Sequence, residues 1–206
     1  MEPVSWSVVV PVKGPRGAKT RLALGERTRA ELAVAFALDT VAAALAARHV
    51  GRVLVITGAD IGEAFRALGA EVLIEQERRG LTAAIADGLA HVGDGPRAVL
   101  LGDVPALRAA ELDAALTAAG AHPLAFVPDA DGVGTVLATA ASGVPHDPRF
   151  GPGSREAHRA AGYVELELPV DWGLRRDVDT TGDLDRVLTL GIGPHTRRAV
   201  EHRATA

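Results

Sequence analysis

Short runs rich in β-branched residues alternate with longer segments in which Ala, Leu and charged residues recur at helical spacing. This alternation restricts the fold more than any other feature of the sequence. Strands that alternate with helices are joined by crossover connections, which favour an α/β fold with a mostly parallel sheet and helices on both faces. The first four predicted strands are nearly continuous apolar runs, as expected for strands buried on both sides. Strands are predicted at residues 7–12, 52–57, 71–74, 98–101, 124–127 and 134–139, and helices at residues 28–48, 61–68, 81–91 and 108–119.

The pattern changes after about residue 128, where Gly, Pro and Asp become frequent. A helix at 154–161 and an extended segment at 163–168 are predicted beyond this point. Since no linker separates this part, we expect one domain over all 206 residues, in which residues 129–190 form a smaller cap on the sheet of residues 1–128. Residues 191–206 are weakly patterned and are predicted to form a frayed tail.

The composition is that of an ordinary folded domain, and it excludes several kinds of partner and site. Hydrophobic residues make up 48% of the chain and charged residues 23%, as is typical of soluble globular proteins. The formal net charge of −4 argues against a nucleic-acid partner bound through a broad basic face. The chain has no cysteine, which excludes disulfides, thiolate metal sites and a cysteine nucleophile.

The sequence shows neither a targeting segment nor a membrane-spanning one. The apolar run near the N-terminus is short and leads into Pro11, unlike a signal peptide. No apolar stretch approaches the roughly 20 residues that span a bilayer. We therefore expect a cytoplasmic protein with no membrane partner.

The loop after the first predicted strand carries four cationic side chains among Gly and Pro residues, namely Lys13, Arg16, Lys19 and Arg21. Such a loop at the carboxyl end of a strand suits a polyphosphate, because glycines let backbone N–H groups approach the anion while Lys and Arg neutralise its charge. A P-loop is excluded, because Ala18 stands where that motif requires Gly before Lys. A solvated basic loop without a ligand is the alternative.

Three aspartates are candidates for holding a divalent cation. Asp103 follows the fourth predicted strand, so it is expected to point into the ligand crevice of an open α/β sheet. Asp177 and Asp179 lie two residues apart in an extended segment, which places both carboxylates on one side, where they repel each other unless a cation lies between them. Mg²⁺ is the expected ion. Capping of a following helix is the alternative role for Asp103 and Asp179.

Six stretches together carry a family resemblance: Pro11-Val12-Lys13 with Ala18-Lys19-Thr20-Arg21-Leu22, Gly80-Leu81-Thr82-Ala83-Ala84-Ile85, Gly102-Asp103-Val104-Pro105-Ala106-Leu107, Gly132-Val133-Gly134-Thr135, Phe150-Gly151-Pro152-Gly153-Ser154 and Asp177-Val178-Asp179-Thr180. In this order they resemble the guanylyltransferases of coenzyme F420 biosynthesis, the 2-phospho-L-lactate or phosphoenolpyruvate guanylyltransferases known as CofC or FbiD. The resemblance covers most of the chain and implies a single-domain Rossmann-like nucleotidyltransferase fold of the GT-A type. Two positions depart from the usual family residues, since Gly102 replaces Ala and Thr82 replaces Asn.

The resemblance implies Mg²⁺-dependent transfer of GMP from GTP to the phosphate of phosphoenolpyruvate or 2-phospho-L-lactate, with release of pyrophosphate. Residues 1–128 would then form the nucleotide-binding half, and residues 129–190 would bind the acceptor and the metal. The implied nucleotide ligands are Lys13, Gly14, Lys19 and Arg21 at the phosphates and Gly80, Leu81 and Thr82 at the base and ribose. The implied metal ligands are Asp103, Asp177 and Asp179, the implied acceptor ligands are Thr135, Gly151 and Ser154, and the implied catalytic residues are Lys19, Arg21 and Asp103.

The acceptor residues form a second candidate anion site, made of the Thr135 hydroxyl and the backbone N–H groups of Gly151 and Ser154. A plain turn with an N-cap serine is the alternative. An acceptor phosphate is ionised near neutral pH, so its attack on the α-phosphorus needs no general base. The seven histidines show no metal-ligand spacing and are interpreted as surface or incidental residues.

Two other functions stay open at this stage. One is a nucleotidyltransferase of the sugar-phosphate or molybdopterin type, which a preference for CTP or UTP would reveal. The other is a catalytically silent nucleotide-binding protein, against which the three retained carboxylates weigh. The acceptor, the number of metal ions and the oligomeric state, including a homodimer, are also open.

Overall fold

The computed structural model describes residues 5–14, 19, 21–77 and 79–204. Of residues 203 and 204 it describes only the backbone. The strands are β1 (Trp6–Pro11), β2 (Val50–Thr57), β3 (Glu71–Ile74), β4 (Arg97–Leu100), β5 (Leu124–Pro128), β6 (Thr135–Ala140) and β7 (Val164–Glu165). The helices are α1 (Glu26–Leu45), α2 (Gly62–Ala67), α3 (Leu81–Val92), α4 (Ala109–Ala119), α5 (Ser154–Ala160), α6 (Thr181–Leu190) and α7 (Pro194–Ala204), with a short 3-10 helix at Gly173–Arg175.

In the described part of the chain, seven strands form one sheet in the order β3-β2-β1-β4-β6-β5-β7. Strand β6 is antiparallel to both of its neighbours, β4 and β5, whereas the other pairings are parallel. The mostly parallel α/β sheet predicted from the alternation of strands and helices is therefore confirmed. The direction of β6 follows from its connection to β5, a loop of a few residues that turns back without a crossover helix.

Helices cover both faces of the sheet, and consecutive residues of the central strands are buried against opposite faces. Val8 and Val10 of β1 pack in one cluster with Leu112 of α4. Val9, which lies between them, packs in another cluster with Ile85 of α3. All three valines are fully buried. Because both faces are buried, the sequences of these strands are continuous apolar runs and do not alternate between apolar and polar residues.

Helix α7 contradicts the prediction of a frayed tail over residues 191–206, because it occupies Pro194–Ala204 and docks on α1. The Asp39 carboxylate of α1 accepts hydrogen bonds from the backbone N–H groups of His195 (3.0 Å) and Thr196 (2.8 Å). These are N–H groups that a helix start leaves without intrahelical partners. The capping group lies more than 150 residues upstream, so the local sequence does not reveal it.

Of the helices that the structure describes, not one combines the length and the apolar character that crossing a bilayer requires.

Candidate functional site

The predicted site residues gather at the carboxyl edge of the sheet, where β1 and β4 end side by side. These strands are parallel, with Val9 opposite Val99, so the loops that follow them start at the same edge. Lys13 and Gly14 follow β1, and Asp103 follows β4. The first residues of both loops therefore lie at the edge where an open α/β sheet is expected to bind its ligand.

A backbone hydrogen bond joins the two segments that carry the candidate metal ligands. The N–H of Val178 donates to the carbonyl of Asp103 at 3.0 Å. The Val178 side chain is fully buried, so the side chains of its neighbours Asp177 and Asp179 project from the opposite side of the extended segment. The chain thereby brings together carboxylates that are more than 70 residues apart in sequence.

The structure assigns the helix caps near these aspartates to other residues. Thr180 caps α6, with its side chain accepting from the N–H of Asp183 and the Asp183 carboxylate accepting from the N–H of Thr180. Helix α4 begins only at Ala109, well after Asp103. The capping alternatives for Asp103 and Asp179 are therefore wrong, and both carboxylates are left for another role.

The ammonium of Lys19 lies between two of the three carboxylates. Its Nζ is 2.5 Å from Oδ2 of Asp103 and 2.9 Å from Oδ1 of Asp179. Burial by itself would lower the pKa of Lys19, but the two carboxylates outweigh it and raise the pKa. Burial by itself would raise the pKa of Asp179, but the nearby Lys19 ammonium outweighs it and lowers that pKa. Lys19 also has a φ of 53°, a left-handed conformation that is costly for a residue with a side chain and is found at functional sites.

One positive charge does not balance this group of carboxylates. Burial, together with Asp103, Asp129 and Asp179, raises the pKa of Asp177 to about 7. Oδ1 of Asp103 is buried and has no hydrogen-bond partner among the described residues. In the same part of the chain, no group of three His, Cys, Asp or Glu side chains lies in positions that could together hold a metal ion. The site thus holds surplus negative charge and an unsatisfied carboxylate oxygen, with Lys19 partly neutralising them.

A cavity of about 240 Å³ opens beside the Asp177 and Asp179 carboxylates. Arg21, Arg176 and Arg186 line it. The sequence gives no role to the last two, because an arginine in a short basic pair or on a helix forms no motif. The mixture of guanidinium groups and carboxylates suits an anionic ligand held together with a cation. A larger cavity, of about 520 Å³, is lined by Arg108 and Trp172 among others and contains none of the predicted site residues.

The residues predicted to lie by the nucleotide base are at the start of α3. Gly80 precedes the helix with a φ of 94°, a conformation that favours glycine, and Leu81 is its first residue. Thr82 is exposed, as is Lys13, while Gly14 is buried. Arg16 lies outside the described residues. No contact in the described part of the chain joins Thr82 to the carboxylate group, so the base-binding role stays a prediction.

Two of the three predicted acceptor residues, Thr135 and Ser154, contact His158, a residue that the sequence pattern had indicated to be incidental. His158 is fully buried; its Nδ1 lies 3.0 Å from the Thr135 hydroxyl and 2.7 Å from the Ser154 carbonyl. The N–H of Ser154 donates to the Gly151 carbonyl at 3.1 Å, so it is engaged within the turn instead of facing an anion as expected. The interpretation of the histidines as incidental is wrong for His158, because burial by distant elements is not visible in the sequence.

Comparison with known proteins identifies the family. The model of the MobA-like NTP transferase domain matches residues 17–159. A protein of Streptomyces coelicolor named phosphoenolpyruvate guanylyltransferase is 48% identical, over 94% of each chain. A protein of the same name from Thermomonospora curvata is 47% identical, over 94% of this chain and 87% of the relative.

Solved structures share the fold at low sequence identity. A putative nucleotide-diphospho-sugar transferase from Desulfovibrio desulfuricans G20 superposes with a TM-score of 0.73 at 22% identity, covering 98% of this chain and 96% of that one. A Mycobacterium tuberculosis H37Rv protein solved in complex with manganese has a TM-score of 0.55 at 22% identity, covering 90% and 98%. By its family match and its curated relatives, this chain is a nucleotidyltransferase and belongs to the phosphoenolpyruvate guanylyltransferase family of MobA-like NTP transferases.

Proposed function

We propose that this protein transfers GMP from GTP to the phosphate of phosphoenolpyruvate, releasing pyrophosphate and forming enolpyruvyl-diphospho-5'-guanosine for coenzyme F420 biosynthesis in the cytoplasm. The relatives named phosphoenolpyruvate guanylyltransferase support guanylyl transfer. Within the structure, the proposal is supported by one observation: the Lys19 ammonium contacts the Asp103 and Asp179 carboxylates at the carboxyl edge of the sheet, beside an arginine-lined cavity that Asp177 and Asp179 also line.

We propose that these carboxylates hold a divalent cation. Asp103 offers a buried oxygen without a hydrogen-bond partner among the described residues, and Asp177 and Asp179 add oxygens on the neighbouring segment. Oxygen ligands of this kind suit Mg²⁺, which we propose as the natural ion, and a structural relative solved with manganese is consistent with a divalent metal here. A bound Mg²⁺ would offset the negative charge of the α-phosphate and of the incoming phosphate oxygen.

The cationic side chains have a different task from the carboxylates. An oxygen of the acceptor phosphate forms a bond to the α-phosphorus of GTP, and the bond from that phosphorus to the bridging oxygen of the β-phosphate breaks. Pyrophosphate leaves with the electron pair, so negative charge grows on it. We expect Lys19 and Arg21 to stabilise this charge, and Lys13 and Gly14 to hold the phosphates in place.

Thr135 and the Gly151–Ser154 turn are the proposed anchor for the carboxylate and phosphate of the acceptor. The Thr135 side chain is buried beside this turn, where a hydroxyl donor is sheltered from competing water. 2-Phospho-L-lactate is the second candidate acceptor, since it carries the same two anionic groups. The names of the relatives favour phosphoenolpyruvate.

Pyrophosphate release tests the proposal. The purified protein is given GTP, ATP, CTP or UTP, each with phosphoenolpyruvate, 2-phospho-L-lactate or 3-phosphoglycerate, with Mg²⁺ or with EDTA. We expect release with GTP and phosphoenolpyruvate in Mg²⁺, loss of release in EDTA, and recovery on adding excess Mg²⁺. The product is identified by its mass.

Two outcomes of this assay would each favour one of the alternative functions. A preference for CTP or UTP would indicate the sugar-phosphate or molybdopterin type of nucleotidyltransferase. Binding of GTP by the folded protein without pyrophosphate release from any pair would support the non-catalytic alternative and contradict the proposal.

A further inference from the structure

His158 of α5 joins three separate parts of the proposed acceptor site. Its Nε2 accepts a hydrogen bond from the backbone N–H of Arg149 at 2.9 Å, in the loop before Gly151. Its Nδ1 faces the carbonyl of Ser154 and the hydroxyl of Thr135. One imidazole thus contacts the loop, the following helical turn and the first residue of β6.

These contacts determine which ring nitrogen carries the proton. A backbone N–H can only donate, so Nε2 must offer its lone pair to Arg149. The Ser154 carbonyl can only accept, so Nδ1 must carry the proton. Both ends of the ring therefore require the same neutral tautomer, with hydrogen on Nδ1.

The tautomer in turn restricts the Thr135 hydroxyl. A protonated Nδ1 has no lone pair in the ring plane, so the hydroxyl oxygen can accept from it but cannot donate to it. The Thr135 hydroxyl has no other hydrogen-bond partner among the described residues. Its hydrogen is therefore not used by another side chain in the described part of the chain, and a buried hydroxyl of this kind is well suited to donate to a carboxylate or phosphate oxygen.

The surroundings keep the imidazole neutral and in place. Phe126 stacks on the ring at 5.3 Å between centroids, and Phe150 and Tyr163 pack edge-on at 5.4 and 4.9 Å. Burial, opposed by the Ser154 carbonyl and aided by Arg149, lowers the pKa of His158. The imidazole therefore stays neutral in the folded protein and keeps its contacts with Arg149, Ser154 and Thr135.

We propose that His158 is a positioning residue for the acceptor: its neutral ring orients the Thr135 hydroxyl and holds the Arg149–Gly151 backbone so that both can meet the acceptor's anionic groups. The inference rests on the proposed function, because it assigns the acceptor to Thr135 and the neighbouring turn. His158 itself does not touch the reacting atoms.

Steady-state kinetics of His158→Phe test this role. Phe retains the ring volume and the stacking but has no hydrogen-bonding nitrogen. We expect the KM for phosphoenolpyruvate to rise at least about tenfold, as when buried polar partners are lost, while kcat and the KM for GTP change less than about twofold. His158→Gln, which carries an oxygen at the ε position for the Arg149 N–H, should recover part of the loss.

Two further variants serve as comparisons. His146→Phe removes another histidine of the same ring cluster, which contacts the Tyr163 hydroxyl instead of the acceptor turn, and should leave the KM for phosphoenolpyruvate unchanged.

Thr135→Val should raise the KM for phosphoenolpyruvate as His158→Phe does. If His158 acts through Thr135, the double variant will raise it by less than the product of the two single effects. Equal changes in both KM values, or an effect on kcat alone, would overturn the proposal.

A spectroscopic test does not depend on turnover. Two-bond ¹H–¹⁵N correlation spectra of the wild-type protein should show His158 as the Nδ1-protonated tautomer, and the His158→Phe spectrum assigns its signals. Protonation on Nε2, or on both nitrogens at neutral pH, would contradict the proposal even if the variant failed to fold.

If the wild-type protein released no pyrophosphate, calorimetry would still test the role of His158. Equal affinities of the wild type and of His158→Phe for phosphoenolpyruvate would count against that role.

Discussion

At the scale of single residues, the most informative contact is that of Lys19 with two carboxylates. An ammonium between Asp103 and Asp179 relieves their mutual repulsion. It does not satisfy the second oxygen of Asp103 or offset the carboxylates and burial that raise the pKa of Asp177. Lys19 was predicted to bind phosphate, and its position beside the carboxylates is compatible with that role, because phosphates that meet a cation there would also meet Lys19.

Replacing Asp103 by Asn tests the proposed importance of its charge. The amide has nearly the same size but carries no negative charge, so we expect kcat for guanylyl transfer to fall at least about 100-fold. Affinity for GTP, measured by calorimetry, should fall far less. Asp94→Asn is the matched control, because Asp94 is exposed at the opposite edge of the sheet, before β4. Turnover of Asp103→Asn within tenfold of the wild type would show that this carboxylate does not hold the metal.

At the scale of elements, α7 shows how a segment without a strong pattern becomes ordered. Its first N–H groups are capped by Asp39, and its apolar residues Ala199 and Val200 pack near Phe36 of α1. Gly193, just before the helix, lies so close to Asp39 that a Cβ would be 2.3 Å from its carboxylate. Contacts with α1, more than the intrinsic helix propensity of its own residues, therefore stabilise α7.

Asp39→Asn is expected to destabilise the protein through α7. A carboxylate can accept from both His195 and Thr196, whereas an amide presents one acceptor and one donor group and leaves an N–H unsatisfied. We expect the free energy of unfolding in urea to fall by about 1–3 kcal/mol. Asp185→Asn, on the exposed face of α6, should change it by less than about 0.5 kcal/mol. Equal stability of the two variants would contradict the capping role.

At the scale of the whole molecule, the pH dependence of stability reflects buried histidines. Burial, Arg97 and His158 lower the pKa of His146 to about 3. The unfolded chain takes up this proton near pH 6.5, but the folded protein does not take it up until about pH 3. Below pH 6.5 the unfolded state therefore binds more protons, and the contribution of neutral His146 to stability is lost as the pH falls.

Urea unfolding between pH 7 and pH 5 measures this effect. In the wild type, His146 should add a slope of up to about 1.4 kcal/mol per pH unit, with stability decreasing toward low pH. His146→Phe should show a flatter slope whatever its absolute stability, because it cannot take up the proton. Equal slopes for the two proteins would show that folding does not lower the pKa of His146.

The sequence by itself determined the strands of the sheet, its mostly parallel character and the candidates Lys19, Arg21, Asp103, Asp177 and Asp179 at its edge, but not Arg176 and Arg186. These follow from local physics: apolar runs mark strands buried on both sides, and residues after parallel strands meet at one edge. Only the tertiary structure decided that Lys19 lies between Asp103 and Asp179, that Asp39 orders α7, and that His158 links Thr135 to the Ser154 turn. Each of these is a contact between residues far apart in the chain, and no local pattern records which distant group will bury or partner a given side chain.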